Sequence, residues 1–203
     1  MKIKLHKNDL PNNIDFGKSV AIDTEAMGLN HTRDRLCLVQ LSSGNGVCHL
    51  VQILNDEIKP KNLIKLLKNK KILKIFHFAR FDVGLLKHTF NINIENIYCT
   101  KIASKLTRTF TDKHGYKDLC KDLLNKDISK SQQTSDWGSN KLTLAQQKYA
   151  SIDVLYLHQI KDKLDKILIR ENRVKLANAC FDFIKIRTDL DLSGWSEQDI
   201  FKH

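Results

Sequence analysis

Two carboxylates stand two residues apart in the run SVAIDTE, residues 19–25, whose composition is typical of a β-strand. Side chains alternate along a strand, so Asp23 and Glu25 point to the same face. Their charges repel each other unless a cation lies between them, and hard divalent cations such as Mg²⁺ prefer carboxylate oxygens. An isolated pair of this kind is more often a solvated strand end, so the pair alone does not define a metal site.

Two further segments carry acids at informative places. Asp82 follows an apolar, strand-like run in HFARFDVGLL, residues 77–86, where the first turn of a helix is expected. The helix dipole also favours an acid at this position, so Asp82 taken alone is better explained as a helix cap than as a catalytic residue. Tyr149 and Asp153 lie four apart in the helical stretch KYASIDVLYL, which places them on one face, one turn apart. The alternative for this pair is a half-buried tyrosine beside a surface acid.

The elements that must position these residues follow from periodicity and turn signals. Five β-strands are expected, at residues 19–24, 36–41, 47–53, 72–77 and 94–98. Helical spacing covers residues 62–68 and 81–90, and then runs from about 142 to 190 with a break near 170–172. This order predicts an α/β fold, in which a mixed five-stranded sheet is covered by helices and the C-terminal third is helical.

Composition limits the partners and the compartment. The chain has 203 residues, with 34 basic and 23 acidic side chains and a formal net charge of +11, which favours polyanionic partners. Lys, Asn and Ile are abundant throughout, so compositional bias explains part of this excess. The five cysteines are widely spaced and indicate neither a zinc site nor a disulfide framework. No apolar run is long enough to cross a membrane, so we expect a cytoplasmic protein with one domain, residues 1–203.

The order of the acids resembles the DEDD 3′→5′ exonucleases: a D-x-E strand, an F-D after a later strand, then Y-x-x-x-D on a helix. One branch of that family has a histidine five residues before the last acid. Lys148 occupies that position here and Tyr149 stands four residues before, so the tyrosine branch, which includes ribonuclease D, is indicated. Two longer runs resemble the same proteins, RDRLCLVQL at 33–41 and KSQQTSDWGSNKLTLAQQKYASIDVLYL at 130–157.

The resemblance implies a ribonuclease H-like sheet and two divalent metal ions, Mg²⁺ or Mn²⁺. The acids that would hold these ions are Asp23, Glu25, Asp82 and Asp153. Tyr149 would orient the attacking water, and the products would be nucleoside 5′-monophosphates. Substrate contacts are expected from a second set of residues: Met27, Gly28, Leu29, His77, Phe78, Arg80, Phe81, Lys130 and Trp137. Within this set Arg80 and Lys130 are the candidates for phosphate contact. Phe78 is as readily explained as a core residue, and for Phe81 the core explanation is favoured.

Three other runs resemble nanoRNase C, a compact bacterial branch: KLHKNDLP at 4–11, TEAMGLNHTRDRLCLVQLS at 24–42 and GWSEQDIFKH at 194–203. That resemblance implies activity on very short RNA, notably dinucleotides, and a homo-octameric ring. Only about forty residues follow the nuclease motifs, too few for the additional helical nucleic-acid-binding domains of longer ribonuclease D proteins.

Three alternatives stay open on the sequence. The chain fits a general ribonuclease D-like exonuclease that trims longer RNA or DNA. It also fits a catalytically silent nucleic-acid-binding module, although such a protein has no reason to keep mutually repulsive acids. An endonuclease of the same broad fold is the third reading, and the Y-x-x-x-D helix counts against it.

Overall fold

A six-stranded mixed sheet forms the centre of the computed structural model, which describes residues 1–55, 57–128 and 134–203. The strands are β1 Lys2–Lys7, β2 Ser19–Ala26, β3 Leu36–Ser42, β4 Val47–Gln52, β5 Leu73–Phe76 and β6 Ile97–Cys99. Their order across the sheet is β1-β4-β3-β2-β5-β6. β3 runs antiparallel to β2 and β4, whereas β2, β5 and β6 are parallel to one another and β1 is parallel to β4.

The expected α/β fold is confirmed, because β4-β3-β2-β5-β6 is the ribonuclease H-like arrangement of five strands. The expected number of strands was wrong by one, since β1 adds a sixth strand at the β4 edge. Its sequence, KIKLHK, has no fully buried side chain, and three of its six residues are lysines. Charged, exposed side chains are typical of an edge strand. Because such a strand lacks apolar periodicity, it was not predicted.

Seven α-helices surround the sheet in the described residues: α1 Lys61–Lys68, α2 Ala79–Phe90, α3 Thr100–Thr107, α4 Tyr116–Leu124, α5 Leu144–Leu155, α6 Leu157–Arg170 and α7 Val174–Leu190. The break expected near residues 170–172 is confirmed, with Asn172 in a left-handed conformation at φ 53°. A second break, at Tyr156, was not expected. Helices α3 and α4 were not predicted. Both are short and polar, and their N-cap residues, Cys99 and Gly115, make no side-chain cap bond.

The sheet core brings distant parts of the chain to one edge. All seven residues of β3 are buried, α5 packs on β2, β3 and β4, and α2 contacts β3, β5 and β6. Because β2 and β5 are parallel, their carboxyl ends lie at the same edge of the sheet. In the part of the chain that the structure describes, no helix combines the length and apolar character needed to cross a bilayer.

The end of β1 is tied to the start of α1 through Asp9. Pro60, at the N-cap of α1, makes no side-chain cap bond. The two carboxylate oxygens of Asp9 instead accept the backbone N–H groups of Asn62, at 2.9 Å, and Leu63, at 3.0 Å. This carboxylate therefore satisfies two of the donors that every helix leaves unpaired at its N-terminus.

We expect Asp9→Ala to lower the free energy of unfolding by about 1–2 kcal/mol, because the substitution removes a helix cap. Urea denaturation at neutral pH measures this difference. Asp112→Ala, which removes an exposed loop carboxylate, is the matched control and should change stability by less than about 0.5 kcal/mol. Equal denaturation midpoints for the two variants would contradict the capping role.

Candidate active site

Three carboxylates from two elements converge at the carboxyl end of β2. Asp23 and Glu25 come from β2, and Asp153 comes from the last turn of α5. One oxygen of each lies within 4.8 Å of the others, and all three side chains are partly buried. Carboxylate oxygens crowded in this way are the ligand set that hard divalent cations prefer.

Asp82, the fourth predicted acid, lies beside these three carboxylates but does not belong to the group whose oxygens are within 4.8 Å of one another. It is 3% exposed and sits in the first turn of α2. The Thr24 hydroxyl donates a hydrogen bond to its Oδ1 at 2.7 Å. Thr24 stands between the two β2 acids, so this one bond fixes Asp82 next to the strand that carries them.

Ionisation is disfavoured at three of the four acids, Asp23, Glu25 and Asp82. Burial raises the pKa of Asp23 to about 7, against a smaller opposing effect of the Thr24 backbone N–H. Burial, and then the charges of Asp23, Asp153 and Asp82, raise the pKa of Glu25 to about 10. Burial also raises the pKa of Asp82 well above its ordinary value. Positive charge at the centre of the cluster would relieve this repulsion, so the site fits divalent metal ions.

Tyr149 lies one turn before Asp153 on α5 and is half-buried. Burial first, and then the charges of Asp153 and Glu25, raise the pKa of its phenol above the ordinary value. The phenol therefore keeps its proton at neutral pH and can donate a hydrogen bond. The ring of Trp137 lies 6.1 Å away, centroid to centroid, and is 3% exposed. The buried Trp137 ring therefore lies beside the Tyr149 ring.

The start of α5 is fixed by its own residues and by the loop before it. Thr143 and Gln146 form a reciprocal capping box at the first turn. Gln146 also donates to the Asp136 carbonyl at 2.9 Å, which holds the loop that carries Trp137. A Cβ added at Gly138 would lie 2.4 Å from the Met27 sulfur, so this loop packs directly against the segment after β2.

A cleft of about 700 Å³ is lined by Asp23, Glu25, Tyr149 and Asp153. Most predicted substrate residues line it as well: Met27, Gly28, Leu29, His77, Phe78, Phe81 and Trp137. Leu29 is 86% exposed and Met27 is 55% exposed, so both present apolar surface to the cleft. Three residues that were not predicted also line the cleft: Lys101, Tyr116 and Lys117. These three residues lie on α3 and α4, the two helices that periodicity did not reveal.

Phe78 and His77 form the turn that leads from β5 into α2. Phe78 has a left-handed backbone, φ 67°, which is uncommon for a bulky residue, and the Lys101 Nζ lies 4.3 Å from its ring centroid. The His77 Nδ1 lies 2.9 Å from the Thr100 hydroxyl, which itself donates to the Phe76 carbonyl. Since that hydroxyl has one proton, Nδ1 carries the hydrogen of the His77 bond.

Arg80 and Lys130 are the two residues predicted to contact phosphate. The Arg80 guanidinium does not line the acid cleft, because it bonds both oxygens of Asp191, at 2.7 and 2.8 Å, and the Ser196 carbonyl at 2.7 Å. Arg80 therefore ties α2 to the segment after α7, and its contact with phosphate stays a prediction. Lys130 lies outside the described residues. Phe81 reaches the cleft but is half-buried and packs against His31, at 4.9 Å between centroids.

Comparison with known proteins decides the family. A family model described as a 3′-5′ exonuclease matches residues 6–169. The chain belongs to the 3′-5′ exonuclease family. Ribonuclease D of Bartonella henselae is 32% identical to it over 161 residues, 79% of this chain and 38% of the relative. The chain thus spans about two fifths of the length of that curated exonuclease.

Solved structures extend the match to the whole chain. Brucella melitensis NrnC with bound Mg²⁺ is 51% identical, with a TM-score of 0.96 and complete coverage of both chains. The structure of Brucella melitensis NrnC bound to pGG is 52% identical, with a TM-score of 0.96, and the match covers 100% of this chain and 99% of that one. The resemblance that the motifs indicated is therefore confirmed.

Glu25→Gln should raise the melting temperature of the metal-free protein at pH 8. The folded state holds a proton on Glu25 between about pH 4.3, its unfolded pKa, and about pH 10, so wild-type stability falls as pH rises through this window. The side chain of Gln does not ionise, so the variant does not lose this stability as pH rises. We expect a gain of at least about 2–4 °C, the shift that about 1 kcal/mol produces in a chain of this size.

Calorimetry with a chelator, at pH 5 and pH 8, measures this gain. The difference between variant and wild type should grow with pH, and added Mn²⁺ should stabilise the wild type more than the variant. Glu57→Gln, at an exposed glutamate, is the matched control and should follow the wild type. A difference that stays constant between the two pH values would show that Glu25 is not destabilised by burial and neighbouring charge.

Proposed function

We propose that this protein is a 3′→5′ exoribonuclease that hydrolyses short oligoribonucleotides, above all dinucleotides, to nucleoside 5′-monophosphates. The convergence of Asp23, Glu25 and Asp153 within 4.8 Å, with the buried Asp82 beside them, carries this proposal. The full-length match to NrnC supports the substrate class, because pGG is a short, 5′-phosphorylated nucleotide of two guanosines.

Asp23, Glu25, Asp82 and Asp153 would hold two divalent ions, Mg²⁺ or Mn²⁺. Such ions, when bound, supply Lewis-acid chemistry that activates water and stabilises the leaving oxygen. The chain contributes a partly buried site in which charges interact more strongly than in water. It also orients the ligands: the Thr24 hydroxyl holds Asp82 at 2.7 Å, and the Gln40 amide lies 3.4 Å from Asp23 Oδ2.

Tyr149 would position the attacking water. The phenol stands one turn from Asp153, and its raised pKa keeps the proton in place at neutral pH. A protonated phenol can fix a water molecule by hydrogen bonding, whereas it is a poor acceptor for the proton that the water must lose.

The cleft offers separate surfaces for the bases and the backbone of a short RNA. Exposed Leu29 and Met27, directly after β2, would contact the terminal nucleotide. Phe78, 43% exposed, offers an aromatic face, and aromatic faces stack bases without strong sequence preference. Lys101 and Lys117 add positive charge along the same cleft, and the net charge of +11 favours encounter with a polyanion.

The arrangement of the protein in the cell is part of the same proposal. Residues 1–203 would form a single exonuclease domain that acts in the cytoplasm, and copies would assemble into a homo-octameric ring. Exposed apolar side chains on α7 and beyond support an interface there: Val174, Leu176, Phe183, Ile186, Trp195, Ile200 and Phe201.

A general ribonuclease D-like activity on longer RNA or DNA is the second candidate. The 32% identity to ribonuclease D of Bartonella henselae favours it. The two candidates share one site and differ only in the length of substrate that the cleft accepts.

A time course with Mn²⁺ or Mg²⁺ and 5′-labelled RNAs of two, three, seven and about twenty nucleotides tests the proposal. We expect the dinucleotide to be consumed at least about tenfold faster than the others, a difference of about 1.4 kcal/mol in the barrier. A ladder of products from the longest RNA, formed as fast as the dinucleotide disappears, would favour the general exonuclease instead.

Asp153→Ala supplies the catalytic control in the same assay. Loss of this acid should lower turnover by at least about 10²-fold while circular dichroism shows an unchanged fold. Asp162→Ala removes an exposed acid of α6 outside the cleft and should leave turnover unchanged. Full turnover in Asp153→Ala would exclude a catalytic role for the cluster, and an inactive wild type would favour a binding module.

A further inference from the structure

Tyr116, the first residue of α4, places its hydroxyl inside the hydrogen-bond ladder of another helix. The hydroxyl donates to the Ile152 carbonyl at 2.6 Å and accepts the Tyr156 N–H at 3.3 Å. Ile152 and Tyr156 are four residues apart, so these two groups are the pair that would bond each other in a continuous α-helix. Each bonds the phenol of Tyr116 instead.

The helix breaks at this point. α5 ends at Leu155, α6 begins at Leu157, and the residue between them has φ −107° and ψ 0°. A side chain inserted into the ladder is one of the few recognised causes of a sharp change in helix direction. The break lets α5 lie on β2, β3 and β4 while α6 packs on α3 and β5.

The inserted hydroxyl acts directly beside the acid cluster. Asp153 follows Ile152 in the last turn of α5, and its carboxylate must reach the two acids of β2. The ring of Tyr116 lines the same cleft and lies 5.7 Å from the His77 ring. The contact between α4 and the end of α5 is therefore part of the wall of the site, and it sets the direction of the turn that carries Asp153.

We propose that Tyr116 is a positioning residue for the acid cluster. By bonding Ile152 and Tyr156 it holds the end of α5 in the geometry that keeps Asp153 within reach of the β2 carboxylates. Tyr116 acts through Asp153 and does not itself touch the reacting atoms. This inference rests on the proposed function of the cluster as a metal site.

Tyr116→Phe tests it, because the variant keeps the ring and lets the helix form its own bond between residues 152 and 156. The affinity for Mn²⁺, measured from the electron paramagnetic resonance signal of the free ion, should fall by about 10–100-fold, as for other residues that orient metal ligands. Turnover of the dinucleotide should fall at limiting Mn²⁺ and recover in large part at saturating Mn²⁺, because Asp153 itself is still present.

Tyr98→Phe is the matched control, since the Tyr98 hydroxyl donates to Asp165 at 2.8 Å outside the cleft. It should bind Mn²⁺ as the wild type does. Wild-type Mn²⁺ affinity in Tyr116→Phe would overturn the positioning role, even if its melting temperature were lower. A wild type that binds Mn²⁺ but cuts no RNA would instead overturn the proposed function, and the comparison of Mn²⁺ affinities would still decide the role of Tyr116.

Discussion

Repulsion among four acids at one end of a sheet is the constraint on which this structure depends. Burial and mutual charge disfavour ionisation of Asp23, Glu25 and Asp82, so the metal-free fold holds these groups together at a cost in stability. The rest of the domain must supply that stability. The same crowding of carboxylates that lowers stability without a cation makes the binding of a divalent cation favourable.

Each acid is held by an element whose direction is set far from the site. β2 carries two of them because it lies beside the wholly buried β3, and parallel β5 ends at the same edge. The left-handed turn at Phe78 starts α2 so that Asp82 meets Thr24. The break at Tyr156 ends α5 about two turns after Tyr149 and just beyond Asp153. Geometry at the site is therefore a property of the whole sheet and of two helix ends.

Strand alternation and helical spacing predicted that Asp23 shares a face with Glu25 and Tyr149 with Asp153, and periodicity predicted the five strands other than β1. That the four acids form one set was implied only by the resemblance of the motifs. The sequence did not predict β1, whose charged edge-strand pattern lacks apolar periodicity. Arg80 shows the other limit: its partner Asp191 lies 111 residues away, and residue type alone cannot distinguish an ion pair from a phosphate contact. Tyr116 was missed for the same reason, since its partners are backbone groups of a distant helix.

Anomalous diffraction from crystals grown with Mn²⁺ and a non-hydrolysable dinucleotide tests the central claim most directly. We predict two Mn²⁺ peaks in the cleft, in contact with carboxylate oxygens of Asp23, Glu25, Asp82 and Asp153, and the linking phosphate of the dinucleotide beside them. A dinucleotide bound in the cleft with no Mn²⁺ at these four acids, or Mn²⁺ bound only elsewhere, would contradict it.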